Sequence, residues 1–304
     1  MRPPLYRFAA LAAFAALALA ACGDDSNSPN DPITADDAQN IGETSAALAD
    51  LAVAGLQSAS LDVSNGPPGS LFAAARITPP GIRLGASMLA LGRSVPDGCP
   101  DITGLTDSDG DGIPDHAVFT FTAADCTTIY LDGAKEVVTG VIRLSDPGAT
   151  PGYDLVYDDW RVRYYDPGET SPALNVLVNG HWLLQGTTTS RTLSQQTDIN
   201  LAANGQSATL TSDFDAGFTA TVPGTLAWNQ PLPDGSIQFN GDWTIDSPSG
   251  DFALGVETLA PLHFDPACLG ITGGELMAVG SNGGSVDVTW SGCGVYTAEF
   301  VEGN

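Results

Sequence analysis

From about residue 115 to its end, the chain repeats one pattern. Apolar and β-branched stretches of 5–10 residues alternate with clusters of Gly, Pro, Asn and Asp. Such runs read as short strands joined by turns. No segment of helical periodicity intervenes, and parallel strands need a crossover of a dozen or more residues. Parallel βαβ architectures are therefore excluded, and short connections make an antiparallel meander the simplest topology. The expected strands are Ala117–Thr122, Cys126–Leu131, Val137–Leu144, Asp154–Tyr165, Leu174–Leu184, Thr192–Leu201, Ser207–Phe214, Phe218–Val222, Thr225–Asn229, Ser236–Ile245, Phe252–Thr258, Glu275–Val279, Val286–Trp290 and Tyr296–Val301. Asp215-Ala216-Gly217 and Pro233-Asp234-Gly235-Ser236 read as hairpin turns.

Ahead of this region, residues 34–61 carry a helix signal. Thr34 is a good N-cap with Asp37 three residues later, and Ile41, Leu48, Leu51, Ala52 and Leu56 recur at helical spacing. Gly42 and Gly55 weaken that helix slightly. Asn65-Gly66-Pro67-Pro68-Gly69 and Thr78-Pro79-Pro80-Gly81 then break the chain, and residues 82–92 read as a short second helix. The expected fold is mainly β: an N-terminal helix followed by a large antiparallel meander, as a curved sheet, half-barrel or barrel. A β-sandwich is the alternative.

The N-terminus reads as an address rather than as part of the folded body. Arg2 and Arg7 form a positive n-region, and Phe8 to Ala21 run 14 residues without a charge. That run is short for a membrane-spanning helix, which needs about 20 apolar residues, and fits a secretory signal. It ends in Leu19-Ala20-Ala21-Cys22, which resembles the lipobox of bacterial lipoproteins. The resemblance implies cleavage after residue 21 and lipid on Cys22, with several acyl chains giving a stable membrane anchor. Gly23, rather than Asp, follows the cysteine, which by the same resemblance implies the outer membrane of the bacterial envelope. The expected organisation is a signal peptide over 1–21 and a polar tether over 22–33. A helical and Pro/Gly-rich segment follows over 34–98, then a disulfide-bracketed Asp-rich loop over 99–126 and a β-domain over 115–304.

Charge narrows the partners. The chain has 10 basic and 36 acidic residues, net −26. Loss of residues 1–21 would leave 8 basic and 36 acidic residues, net −28. Such a surface repels phosphate backbones, so a nucleic-acid binder is not expected, and anionic lipid headgroups would repel it too. The acid comprises 29 Asp and 7 Glu, and Asp favours turns, caps and calcium loops over helix interiors. The acid-rich surface of a halophile is a second explanation of this charge.

With Cys22 lipidated, Cys99, Cys126, Cys268 and Cys293 remain, an even number suited to an oxidising compartment. Sequential pairing, Cys99–Cys126 and Cys268–Cys293, closes the shortest loops. No C-x₂-C spacing supports zinc.

The most chemical stretch is Asp107-Ser108-Asp109-Gly110-Asp111-Gly112-Ile113-Pro114-Asp115. Asp107, Asp109, Asp111, the Ile113 carbonyl and Asp115 follow the ligand order of an EF-hand-like loop, and hard oxygen donors favour calcium. The spacing resembles the calcium repeats of thrombospondin type 3 modules. It departs from an EF-hand at the twelfth position, where Val118 replaces the bidentate Glu. Waters, a bidentate Asp, or Asp101 or Asp132 would have to complete the shell. The competing reading is a solvated Asx-turn loop without an ion.

No catalytic signature stands out. His116, His181 and His263 are widely separated, and no H-E-x-x-H, G-x-S-x-G or P-loop is present. Asp158-Asp159 is the one adjacent carboxylate pair within an expected strand. Val178-Asn179-Gly180-His181-Trp182 is echoed by Phe239-Asn240-Gly241-Asp242-Trp243, which places His181 at an exposed strand position like Asp242. The expectation is a lipid-anchored envelope protein with a non-catalytic binding or scaffold domain. In outline it is similar to the half-barrels of periplasmic lipoprotein and lipid carriers. The alternatives are an envelope hydrolase acting on glycans, with exposed Trp as a sugar platform, or a carrier of a hydrophobic ligand.

Overall fold

The computed structural model describes residues 33–57 and 99–302, apart from 111–112, 131, 149, 204–205, 228–230, 248–249 and 281–282. The lipobox with Cys22, most of the tether, the breaks at 65–69 and 78–81 and the helix expected over 82–92 lie outside the described residues.

The fold is mainly β, with the expected N-terminal helix and one large antiparallel sheet. Helix α1 spans Ala38–Gln57. The strands are β1 (Asp101–Thr103), β2 (His116–Phe121), β3 (Thr127–Ile129), β4 (Lys135–Ser145), β5 (Gly152–Tyr165), β6 (Leu174–Gly186), β7 (Ser190–Ala203), β8 (Gln206–Ala220), β9 (Gly235–Ser247), β10 (Gly250–Asp265), β11 (Gly270–Gly280), β12 (Ser285–Gly292) and β13 (Val295–Val301). They pair in chain order from β1 to β13, except that β2 and β3 share one edge of β4. The sheet is not closed, because β1 and β13 lie at opposite ends of the order. It is therefore a curved sheet, and neither a barrel nor a two-sheet sandwich.

Three expected local features differ. Pro233-Asp234-Gly235-Ser236 forms no tight hairpin turn: Gly235 and Ser236 already belong to β9, paired with Ala220 and Thr219 of β8, and the connection between the strands is long. Asp215-Ala216-Gly217 does not turn: β8 runs straight through it, and Ser212, Phe214, Ala216, Phe218 and Ala220 keep an unbroken inward alternation. Asp215 and Gly217 occupy the outward phase and are paired on both sides, to Ser194 and Thr192 of β7 and to Asn240 and Gln238 of β9. Two flanking ladders outweigh a turn preference that costs only a fraction of a kcal/mol per residue. The described part of 225–229 is not strand but part of the long β8–β9 connection.

Helix α1 begins later than its cap residue suggested. The Asp37 carboxylate accepts from the Thr34 N–H at 2.9 Å and the Thr34 hydroxyl at 2.7 Å, closing a turn ahead of the helix. The first helical hydrogen bond runs from the Ile41 N–H to the Asp37 carbonyl at 3.0 Å. Ala38, Ile41, Ser45, Leu48, Ala49, Ala52, Val53 and Leu56 form one buried stripe at three- and four-residue spacing. The side chain of Leu51 lies outside the described residues. The stripe packs across β7, β8 and β9 and also β11, β12 and β13, so the concave side of the sheet wraps around the helix. Gly42 permits the closest approach. A Cβ there would sit 2.3 Å from the Ala298 Cβ on β13. The glycine that weakens the helix is the one that docks it.

Candidate functional site

The Asp-rich loop hangs between β1 and β2, and its ends are not free. The Cys99–Cys126 disulfide, with Cα atoms 5.1 Å apart, closes the segment. Inside it, β1 pairs with β2 and β2 pairs with β4, so the bracketed chain supplies one end of the sheet. Ala117 and Phe119 of β2 and Ile113 at the base of the loop are buried in the main core. Asp115 turns back on the loop. Its carboxylate accepts from the Ser108 hydroxyl at 2.5 Å and the Ser108 N–H at 3.0 Å. These bonds, the hydroxyl's first, hold its pKa below the usual aspartate value. The Asp107 carboxylate accepts from the Gly110 N–H at 2.7 Å, an Asx turn. Asp111 lies outside the described residues. Among the described residues, no three Asp, Glu, His or Cys side chains form a metal-holding group. Asp101 is exposed on β1, and the Asp132 carboxylate accepts from the Ala134 N–H at 3.0 Å in the β3–β4 turn.

The second bridge, Cys268–Cys293, has Cα atoms 6.1 Å apart and ties the β10–β11 turn to the β12–β13 turn. The sequential pairing is thus the one present.

The polar groups that sequence reasoning passed over lie on the concave face. Arg191 at the start of β7 is fully buried. It donates through Nη1 to the Leu56 carbonyl at 3.0 Å and through Nη2 to the Ala227 carbonyl at 2.6 Å. Leu56 lies in the last turn of α1, where carbonyls lack helical partners and the dipole favours a cation. Burial pulls the Arg191 pKa down to about 10, partly opposed by neighbouring Tyr153. Burial also pushes the Tyr153 and Tyr157 phenols well above their ordinary value. Both rings belong to β5 and to the same core. A signal for Arg191 existed: it falls in the inward phase of Leu193, Ile199 and Leu201, where an arginine must find partners or be expelled.

The internal echo is a packing device. Gly180 lies opposite Thr197, and a Cβ there would sit 2.9 Å from the Thr197 hydroxyl. The cleared space is next to Trp182, whose indole N–H donates to that hydroxyl at 3.1 Å. Gly241 lies opposite Phe214, whose Cβ would be 2.2 Å from a side chain, and the Phe214 ring stacks on Trp243 with centroids 5.5 Å apart. In both copies the Asn before the glycine accepts a backbone N–H where the neighbouring strand loses register. Asn179 accepts from Asp159 at 2.7 Å on β5, and Asn240 accepts from Thr258 at 3.3 Å on β10. Each echo therefore pins a bulge outside and seats an indole inside.

This arrangement accounts for several candidate residues. Asp159 sits in its bulge at φ 48°, bonded to Asn179, while Asp158 pairs with Arg143 at 3.0 Å. The two are fixed in different contacts rather than aimed at one point. His181 is exposed, as the echo implied, with Nε2 2.8 Å from Asp154, and exposed His263 lies 3.4 Å from Asp234. His116 is exposed on β2. Trp160, Trp182, Trp243 and Trp290 are all buried, so none of them offers a sugar platform, and Trp228 lies outside the described residues. The convex face instead carries directly opposed carboxylates, Asp213 facing Asp242 and Asp287 facing Glu299. Opposed like charges destabilise a sheet modestly and repel anionic partners.

No family model matches the chain, and no curated protein or solved structure is similar to it.

Proposed function

We propose that this chain is a lipid-anchored protein of the bacterial cell envelope, held at the outer membrane through acyl groups on Cys22. Its sheet acts as a non-catalytic binding or scaffold element. The observation that carries the reading is Leu19-Ala20-Ala21-Cys22, placed directly after a 14-residue uncharged run behind Arg2 and Arg7. The two disulfides fit an oxidising compartment. The filled concave side favours a scaffold over a carrier, because α1 occupies the space against β7–β9 and β11–β13 where a hydrophobic ligand would sit. Among the described residues, the engaged Asp158 and Asp159 and the four buried indoles lend the glycan-hydrolase reading no contact.

Within this reading the loop holds a structural calcium ion through Asp107, Asp109, Asp111, the Ile113 carbonyl and Asp115. Its support is the spacing of four carboxylates in nine residues. The ion would staple the tip of a loop whose base is already held by the disulfide, by buried Ile113 and by the Ser108–Asp115 bonds.

Cys22→Ser tests the anchor. In an exporting bacterial host the parent chain takes up a fatty-acid probe and fractionates with membranes, and the variant does neither. A variant that still labels and still sediments with membranes removes the lipobox reading.

A further inference from the structure

The two ends of the sheet differ in how they are finished. β1 is only three residues long, follows Pro100 and lies within a disulfide-closed segment, which are familiar ways of blunting an edge. β13 has seven residues, no Pro and no Lys, and among the described residues only β12 pairs with it. Its outward residues Val295, Thr297, Glu299 and Val301 are exposed, while Tyr296, Ala298 and Phe300 face the core. An open edge of this length offers a row of unpaired backbone donors and acceptors.

The sequence of this edge selects its partner. Val295-Tyr296-Thr297-Ala298-Glu299-Phe300-Val301 reads nearly the same in both directions about Ala298. We propose that β13 pairs antiparallel with β13 of a second copy, on a two-fold axis through Ala298, joining two sheets edge to edge. In that register Val295 faces Val301 and Tyr296 faces Phe300, an aromatic cross-strand pair formed twice by symmetry. Thr297 faces Glu299, so the one charge on the strand avoids its own copy. A shift by two residues, centring the axis on Glu299 or Thr297, would put Glu299 opposite itself, or would put it opposite Val295 and carry Phe300 and Val301 past the end of the partner strand. The strand is thus complementary to itself in one register. Both copies are strongly acidic, so association strengthens as salt screens their mutual repulsion.

The register is tested in the full chain carrying Cys22→Ser, kept in detergent micelles and at 150 mM salt or above. Thr297→Cys and Glu299→Cys are made separately, both at exposed positions away from α1. Under mild oxidation a mixture of the two forms a covalent dimer between residue 297 of one copy and residue 299 of the other, because directly opposed residues lie within disulfide reach. Either variant alone stays uncrosslinked, since the diagonal neighbours are about 7–8 Å apart. Sedimentation gives a second readout without new thiols. Thr297→Lys, placed opposite Glu299, tightens the dimer, and Thr297→Glu loosens it, with about tenfold between their dissociation constants from two symmetry-related pairs. A chain that stays monomeric at 100 µM, with no 297–299 bond, overturns the proposal. So does a 297–297 bond, or equal dissociation constants for the Lys and Glu variants.

Discussion

The two flanks of the sheet are held by different physics. From β7 to β13 the concave face rests on α1, and Leu48, Ala52 and Leu56 join Phe214, Phe239, Trp243 and Leu276 in one buried core. Fully burying each large apolar side chain contributes about 1.5–3 kcal/mol. From β1 to β4 two strands are only three residues long; Ala117, Phe119, Ile142 and Leu144 reach the same core, while β1 and the loop are fastened by a disulfide, local hydrogen bonds and the buried Ile113. Each flank has one disulfide of nearly equal span, 27 and 25 residues. Equal crosslinks on unequal surroundings separate what a crosslink contributes from what packing contributes.

Removing the crosslinks should have the largest effect. The chain-entropy model assigns each bridge about 3.5 kcal/mol, nearly the same for both loops. The comparison expects the consequences to differ in place. With Cys268→Ser and Cys293→Ser, amide exchange in β11 and β12 stays slow, because both strands remain packed on α1. With Cys99→Ser and Cys126→Ser, β1 and the adjoining loop lose protection while β6–β9 keep theirs. Exchange measured by mass spectrometry on both double variants decides this. Unchanged protection in β1 would mean that β1 and its loop are held by packing rather than by the crosslink.

Arg191→Met attacks the packed flank at its polar point. The change keeps volume but strips the donors from the Leu56 and Ala227 carbonyls. Leaving the buried Leu56 acceptor unsatisfied costs about 1–3 kcal/mol, and the loss should appear as fraying of the last turn of α1. Denaturant unfolding together with exchange over residues 53–57 measures both. A variant as stable as the parent would show that water or other contacts replace the arginine.

Calcium should give the smallest effect, and only on the weaker flank. At ten times Kd, binding to the folded state alone adds about 1.4 kcal/mol. Magnesium should add less, because its compact octahedral shell suits a flexible carboxylate loop poorly. Asp109→Ala should abolish the response without unfolding the chain. Thermal melts with chelator, with millimolar calcium and with millimolar magnesium carry the test. Identical midpoints in all three leave only the hydrogen-bonded Asx-turn loop.

Much of this could be read along the chain. The runs from 174 to 184 and from 192 to 201 announce β6 and β7 through local content, and α1 is announced by Ile41, Leu48, Ala52 and Leu56. The cysteine pairs follow from closing the nearest loops. β1 was not legible, since three residues carry too little pattern, and its register with β2 is set by residues outside that short window. The turn expected at 215–217 failed for the opposite reason: its residues favour turning, but ladders on both sides hold them straight. Of the candidate site, the loop and its aspartates were legible, whereas the Ser108–Asp115 closure spans seven residues and depends on how the loop folds back.

The sequence by itself determined that the chain is mainly antiparallel β behind a leading helix, because strand and helix periods are local and survive any arrangement of neighbours. It also carried the lipobox-like tetrapeptide and the aspartate spacing, which are written in consecutive residues. Only the tertiary structure decided that the sheet stays open, that it wraps α1, and that Trp160, Trp182, Trp243 and Trp290 point inward. It also decided that Arg191 caps the helix from 135 residues away. Those outcomes depend on the accumulated twist of thirteen strands, on bulges pinned by Asn179 and Asn240, and on the close approach at Gly42. Each is set by residues distant in sequence, so no local window contains the forces that fix it.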